Sequence, residues 1–400
     1  MTSRERILKA LNHEEADRVP RDLGGTESSG MTAYALRNLH GHLGIARDPK
    51  VFEPYQYVAY IEGDLQARFG IDTANLTREP AMWVRTATPW GFHTLLPAAW
   101  REELDEEGAT VVRRGDGSIT ARRAKDSYYF DPMHPPLEAV AAAADIARYR
   151  DTIRSFDAPA FADEALDAFR ERAERMRAGG RCVVFNLCCH VLAAGQLLRG
   201  YEQFMIDLMA DEAMVRTLLD ILSEGYRDRI DQLAPLLRDT VDVVLLNDDL
   251  GTQHGPMLSP ATYRALIKPY QQTLFAYVKQ SFRTPILFHS CGAVREFIPD
   301  LIEVGADALN PVQISAENMD PAGLKRAFGN DITFWGGGID TQSVLNEKTP
   351  REVAEAVRRS VDALAPGGGF VFCQVHNIQP DVPPENVVAM FEALDAHGAY

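Results

Sequence analysis

From residue 136 onward, short apolar runs alternate with longer stretches of helical pattern. The runs fall at 181–187, 241–246, 285–288, 307–311, 332–335 and 369–373, each short enough for one buried strand. Between and after them, 136–150, 160–178, 200–236, 260–280, 294–304, 320–328, 350–364 and 385–396 repeat apolar residues at helical spacing. Val353, Val357, Val361 and Leu364 form one such stripe. Thr349-Pro350-Arg351-Glu352 opens that helix as a capping box with Pro at the first helical position. Ser259-Pro260 opens another, and Pro269 predicts a kink within it.

Ahead of this region, Ser3–Leu11, 31–44 and 53–68 are helix-like, while 19–23 and the piece near Ile71 are extended. Eight strands alternating with helices predict parallel βαβ units, and the count favours a (β/α)8 barrel over an open sheet. No Gly-x-Gly-x-x-Gly follows the first strand and there is no P-loop, which also weighs against an open nucleotide-binding sheet. Residues 80–130 break the rhythm. Trp83-Val84-Arg85-Thr86, Thr110-Val111-Val112-Arg113-Arg114 and Ser118-Ile119-Thr120-Ala121-Arg122 are β-like, and Gly115-Asp116-Gly117 is a hairpin signal. This predicts an antiparallel insertion, a flap or a structural cover, within a single domain spanning 1–400.

Composition narrows the partners. The net charge of −16 weighs against nucleic acid and against an anionic membrane surface. No window holds 18 consecutive apolar residues, so no spanning helix is expected. Met1-Thr2-Ser3-Arg4-Glu5-Arg6 is charged and lacks a secretory apolar core. Five scattered cysteines, an odd number, do not make a disulfide framework. The expectation is a soluble cytoplasmic protein. A homo-oligomer is compatible with all of this.

The chemistry collects where the strands end. Pro285-Ile286-Leu287-Phe288-His289-Ser290-Cys291-Gly292 is a strand running into a turn. Side chains at i and i+2 of an extended chain share a face, which sets His289 and Cys291 together, roughly 7 Å apart along the backbone. An imidazole and a thiolate suit a soft divalent ion such as zinc. Catalytic residues of a (β/α)8 barrel sit at the C-terminal strand ends. Those ends also carry Cys188, Cys189 and His190, then Asn247, Asp248, Asp249 and Gln253, then Asn310 and Gln313, then Asp340, and finally Cys373, His376 and Asn377. Cys373 and His376 are both candidates for a third metal ligand. The vicinal Cys188 and Cys189 cannot easily chelate one ion. Asp248 and Asp249 are the catalytic candidates, to move a proton or orient a ligand. Asn247, Gln253, Asn310, Gln313, Asp340 and Asn377 are candidates to bind substrate.

Taken together, several stretches carry a resemblance. They are Arg18-Val19-Pro20, Asp248 through Gln253 with Lys268-Pro269-Tyr270, His289-Ser290-Cys291-Gly292, Trp335 through Asp340, and Val375 through Asn386. Over nearly its whole length the chain resembles the uroporphyrinogen decarboxylase superfamily, and most of all its cobalamin-dependent methyltransferase branch. The resemblance implies a (β/α)8 barrel and a zinc site made by a His-X-Cys and a distant Cys. It implies methyl transfer between a small methylated substrate or thiol and a corrinoid. His289 and Cys291 match the first pair. The distant Cys falls about ten residues before the Asn that opens the last helix, and that position here is His376, with Cys373 as the alternative. A corrinoid-binding Asp-x-His-x-x-Gly motif is not found. The nearest string, Asp395-Ala396-His397-Gly398-Ala399-Tyr400, fails at the glycine. A corrinoid is therefore expected in trans, on a separate corrinoid protein or as free cobalamin. Two alternatives stand beside this reading. A decarboxylase of the family's namesake type would need an arginine-rich N-terminal loop, and the matching region is Arg18-Val19-Pro20-Arg21-Asp22-Leu23-Gly24-Gly25. A metal- or thiol-binding sensor would need no reaction at all.

Overall fold

Seven strands lie parallel in the order of the chain: Thr73–Leu76, Cys182–Asn186, Val243–Asn247, Ile286–His289, Ala308–Asn310, Thr333–Trp335 and Phe370–Val371. The structure is a computed structural model that describes residues 1–113, 117–125, 127–156 and 163–400. Segment 20–22 bridges the two edges of this sheet. The Arg21 carbonyl accepts from the Asp72 amide at 2.9 Å. On the other side the Asp22 amide donates to the Phe372 carbonyl at 2.9 Å, and the Phe372 amide donates to the Pro20 carbonyl at 2.9 Å. The eighth stave thus closes a (β/α)8 barrel.

The strands are apolar on both faces because both are covered, as parallel strands require. Inside, Val184, Val243, Leu245, Leu287, Ala308, Trp335 and Val371 pack with Cys182 and Cys373. Ile7 and Ala10 of helix Ser3–Leu11 join that cluster and stopper the N-terminal end. Outside, Val183, Phe185, Val244, Leu246, Phe288, Leu309 and Phe334 pack in the large cluster shared with the surrounding helices. Above the inner layer the inward positions turn polar. Asn247 is in register with His289, and His289 with Asn310.

The insertion is antiparallel. Trp83–Ala87 pairs with His93–Pro97. Glu102–Leu104, Thr110–Arg113, Ile119–Arg123 and Asp131–Pro132 form a second sheet. Positions 115 and 116 of the expected hairpin turn lie outside the described residues.

Four helical expectations need correction. Of 53–68, only Gly63–Arg68 is helical; Val51–Glu53 and Val58–Ala59 pair as antiparallel strands instead. Aromatic and β-branched residues favour that, and Tyr57 turns the chain at φ +60°. Of 31–44, Met31–Thr32 is strand and the helix starts at Ala33. The 136–150 stretch is a 3₁₀ turn, Ala143–Tyr149, followed by helix Arg150–Arg154. Its alanines supply propensity but little apolar area to bury. The 200–236 stretch is two helices, Tyr201–Ala210 and Glu212–Leu237. Asp211 breaks the run at φ −140° and caps the second helix through the Met214 amide. An unforeseen helix, Leu192–Arg199, precedes them. Pro269 is accommodated by a π-helical turn, Tyr263–Ile267, just ahead of helix Lys268–Phe282.

Candidate metal centre

Strand Ile286–His289 delivers its last residue inward, at the C-terminal mouth of the barrel. Asn310, the neighbour in register, donates from Nδ2 to the Trp335 carbonyl at 2.9 Å. That leaves Oδ1 of Asn310 as an acceptor 2.6 Å from Nδ1 of His289. Ser28 Oγ lies 2.9 Å from the same nitrogen and donates to Asn310 Oδ1 at 3.1 Å. Nδ1 therefore carries the ring proton, and Nε2 keeps its lone pair.

That lone pair looks toward Cys291, whose Sγ is 3.4 Å from His289 Nε2. Gly292 follows at φ +87°, packed so closely on Gly251 and Thr252 that a Cβ would lie 2.4 Å from the Gly251 backbone. This turn fixes the direction of the Cys291 side chain. His376 arrives from the loop after the last strand with a backbone φ of +63°, uncommon for a residue with a Cβ. The His289 and His376 ring centroids are 6.0 Å apart. The ligating atoms of His289, Cys291 and His376 all lie within 4.8 Å of one another.

Two imidazoles and a thiol fit a divalent ion of the zinc type. Tetrahedral zinc with ordinary bond lengths sets a nitrogen and a sulfur about 3.5 Å apart. Three protein ligands also leave one position open. Burial pushes the His376 imidazole down to about 4, with His289 adding to the effect and Asp249 opposing it. The ring is neutral at physiological pH, as a ligand must be. Burial pushes the Cys291 thiol well up, and the Asp249 carboxylate pushes it further. A metal ion would displace that proton.

Asp248 and Asp249 separate. Asp248 is buried and accepts from the amides of Val191 at 3.0 Å and Ala193 at 2.9 Å, and from Gln271 Nε2 at 2.8 Å. It anchors the start of helix Leu192–Arg199 and is not at the trio. Asp249 is exposed, accepts from the Cys291 amide at 2.8 Å, and lies 3.7 Å from His289 Nε2.

Most of the substrate-binding candidates are engaged within the protein. Gln313 accepts from the Gly292 amide at 2.8 Å and donates to Gln253 Oε1 at 2.7 Å. Gln253 in turn donates to the Ser315 carbonyl at 2.6 Å. Asp340 accepts from the amide and hydroxyl of Ser343, at 2.9 and 2.6 Å. Asn377 accepts from the Gly30 amide at 2.8 Å and donates to Gln56 at 3.1 Å. Asn310 positions His289. Of these candidates, Asn247 keeps a buried oxygen, Oδ1, with no partner among the described residues. Cys373 is fully buried in the inner cluster, with its thiol donating to the Gln374 carbonyl at 3.2 Å. It lies below the mouth and outside the trio.

Three residues at the mouth were not foreseen. Glu27 accepts from Asn186 Nδ2. Burial pushes its carboxyl up. Glu53 accepts from the amides of Gln56 at 2.7 Å and Tyr55 at 3.1 Å. Burial raises it to about 7, with Glu27 adding to the effect. Tyr129, from the segment that closes the insertion, accepts from Gln379 Nε2 at 2.6 Å and senses Cys291 and Glu53. The strand-end rule reaches Glu27, which follows the 20–22 stave. Glu53 and Tyr129 carry no local signal, because only the folding of distant segments brings them here.

Known proteins resemble the chain as follows. Residues 135–397 match the family model described as Uroporphyrinogen decarboxylase (URO-D). A uroporphyrinogen decarboxylase of Idiomarina loihiensis is 24% identical over 269 residues, 63% of this chain and 71% of that protein. One from Legionella pneumophila is 24% identical over 216 residues, 52% of this chain and 55% of that protein. A solved methyltransferase from Methanosarcina mazei superposes with a TM-score of 0.56 at 17% identity, covering 99% of both chains. At that identity the likeness is one of fold.

Proposed function

The chain belongs to the uroporphyrinogen decarboxylase (URO-D) family, and on that premise we propose that it is a metal-dependent methyltransferase, moving a methyl group between a small substrate and a corrinoid. The corrinoid comes in trans, on a separate protein or as free cobalamin. The observation that carries this reading is the convergence of His289, Cys291 and His376 at the catalytic end of the barrel.

His289 Nε2, the Cys291 thiolate and His376 would hold the ion, zinc by the character of the donors. Bound there, such an ion supplies Lewis acidity toward a thiol sulfur or a methyl-bearing heteroatom. Asn310 and Ser28 hold His289 in the tautomer that presents Nε2. Asp249 sits where it can take the proton that a thiol releases, 2.8 Å from the Cys291 amide and 3.7 Å from His289 Nε2. Tyr129 sits at the rim of the mouth.

Decarboxylation of a polycarboxylated tetrapyrrole is the second reading, favoured by the names of the curated relatives. The acids Glu27, Glu53 and Asp249 at the mouth suit such a substrate poorly, and a His-X-Cys has no task in it. The test runs both assays on one preparation. Metal analysis should give about one divalent ion per chain, lost in His289→Ala and in Cys291→Ser. Uroporphyrinogen should remain unconverted. Coproporphyrinogen formation at an enzyme-like rate, with metal content untouched by both substitutions, would reverse the ranking.

A further inference from the structure

The turn that follows strand Cys182–Asn186 is pinned on every side of His190. Cys188 takes a φ of +53°, a costly conformation for a residue with a Cβ, and its amide donates to Asn186 Oδ1 at 2.8 Å. Its carbonyl accepts from Arg229. The buried Tyr226 hydroxyl accepts from the His190 amide at 3.1 Å and donates to the His190 carbonyl at 2.6 Å. Asp248 takes the amides of Val191 and Ala193 just beyond. The ring itself is fixed as well, with Nδ1 of His190 2.9 Å from the Asn247 carbonyl. A carbonyl only accepts, so Nδ1 carries the ring proton and Nε2 keeps its lone pair. Nε2 has no hydrogen-bond partner among the described residues, and His190 is half-buried.

Backbone geometry sets this ring beside the metal ligands. Asn247 is in register with His289 on the neighbouring strand, one strand spacing of about 4.8 Å away. Glu27 and Ser28 are consecutive, about 3.8 Å apart at Cα, yet Glu27 bonds Asn186 and Ser28 bonds His289. Asn186 and His289 end the strands on either side of Val243–Asn247. The Glu27–Ser28 step therefore crosses the end of Val243–Asn247, where the His190 ring sits on the last carbonyl. A substrate on an ion at His289, Cys291 and His376 has the imidazole one strand away. The ionisable groups packed around the turn are Asp248 on the neighbouring strand end, Tyr226 and Arg229 of helix Glu212–Leu237, Cys188 and Cys189 in the turn, and Glu27 across Asn186.

We propose that His190 is the acid–base group of this centre, its Nε2 exchanging a proton with the substrate atom that gains or loses the methyl group. This rests on the methyltransferase reading above and adds the residue that keeps the proton. With a thiol, the S–H bond breaks, its electron pair stays on sulfur, and the proton forms an N–H bond at Nε2. With a methylated oxygen or nitrogen, the proton goes from Nε2 to that atom, which retains the electron pair of its bond to carbon as the methyl leaves for the corrinoid. Asp249 can take a proton, but a carboxylate holds one poorly near neutral pH, where an imidazole both takes and returns it.

The test counts protons rather than turnover. Zinc-loaded protein is titrated calorimetrically with mercaptoethanol, in buffers of different ionisation enthalpy, from about pH 6 to about pH 8, below the ordinary thiol pKa of about 8.5. A thiol that binds as thiolate frees about one proton. Over part of that range the wild type should release clearly less than this into the buffer, because Nε2 retains it. His190→Asn keeps an N–H donor at the place of Nδ1 for the Asn247 carbonyl and removes Nε2. It should hold the zinc content and denaturant midpoint of the wild type and lose the retention, releasing about one proton per thiol throughout. Full release by the wild type at every pH would overturn the proposal. So would retention that survives in His190→Asn, and its loss in Asp249→Asn would then assign the proton to Asp249. A His190→Asn protein with lowered zinc content or midpoint would make the imidazole a support of the turn and not the acid–base group. A wild type that takes up no zinc, or binds no thiol once loaded, would overturn the reading of the centre itself and the proposal with it.

Discussion

Nδ1 of His289 and Oδ1 of Asn310 lie 2.6 Å apart, and Asn310 cannot turn round, because its Nδ2 is held by the Trp335 carbonyl at 2.9 Å. The side-chain amide therefore decides which histidine nitrogen is free. Groups behind a metal ligand typically contribute a factor of about 10–100 in affinity. Asn310→Leu should lose that much, measured by competition with a chelator, while the circular dichroism spectrum stays that of the wild type. Unchanged affinity would show that His289 needs no such support.

Asp248 and Asp249 are neighbours in the chain with opposite tasks. Asp248→Ala strands the amides of Val191 and Ala193 and should lower stability by about 2–3 kcal/mol, read from the denaturant midpoint. Asp249→Ala, at an exposed position, should leave the midpoint within about 0.5 kcal/mol and change the behaviour of the metal centre. Equal effects of the two on the midpoint would contradict the assignment.

Metal affinity should depend on pH through Cys291. Its thiol lies well above the ordinary range because of burial and Asp249, so at neutral pH the metal-free site holds that proton. Binding expels it. Affinity should then rise about tenfold per pH unit for as long as the thiol stays protonated in the free protein. His376, brought down to about 4 chiefly by burial, competes for its own proton only in acid. Calorimetry in buffers of different ionisation enthalpy should count about one proton released per ion at neutral pH. No release would mean that Cys291 is not a ligand.

The barrel was legible because each strand leaves a short apolar run, and closure followed from counting 19–23 as a stave. The structure departs from the helical pattern where that pattern is compatible with more than one structure, as in the alanine-rich 136–150 and the aromatic 53–62. That His289 and Cys291 lie side by side follows from their i, i+2 spacing; that they sit at the mouth followed from the polar residues collected at the other strand ends. His376 rested on its distance from Asn386, and three-dimensional placement separates it from Cys373, three residues earlier but facing the inner core. The amide-bearing residues at the strand ends could not be sorted by sequence. Whether Asn310, Gln313 or Asn377 meets a ligand or ties loops together depends on partners far away in the chain.

The central claim is that a metal held by His289, Cys291 and His376 makes methyl transfer to or from a corrinoid possible. Metal-loaded protein mixed with methylcobalamin and small thiols, or with cob(I)alamin and methylated amines or ethers, reports on this directly through the corrinoid spectrum. The predicted result is a spectral conversion that disappears in Cys291→Ser and after metal removal. No conversion with any corrinoid, free or protein-bound, across amines, ethers and thiols would contradict the function while leaving the barrel in place.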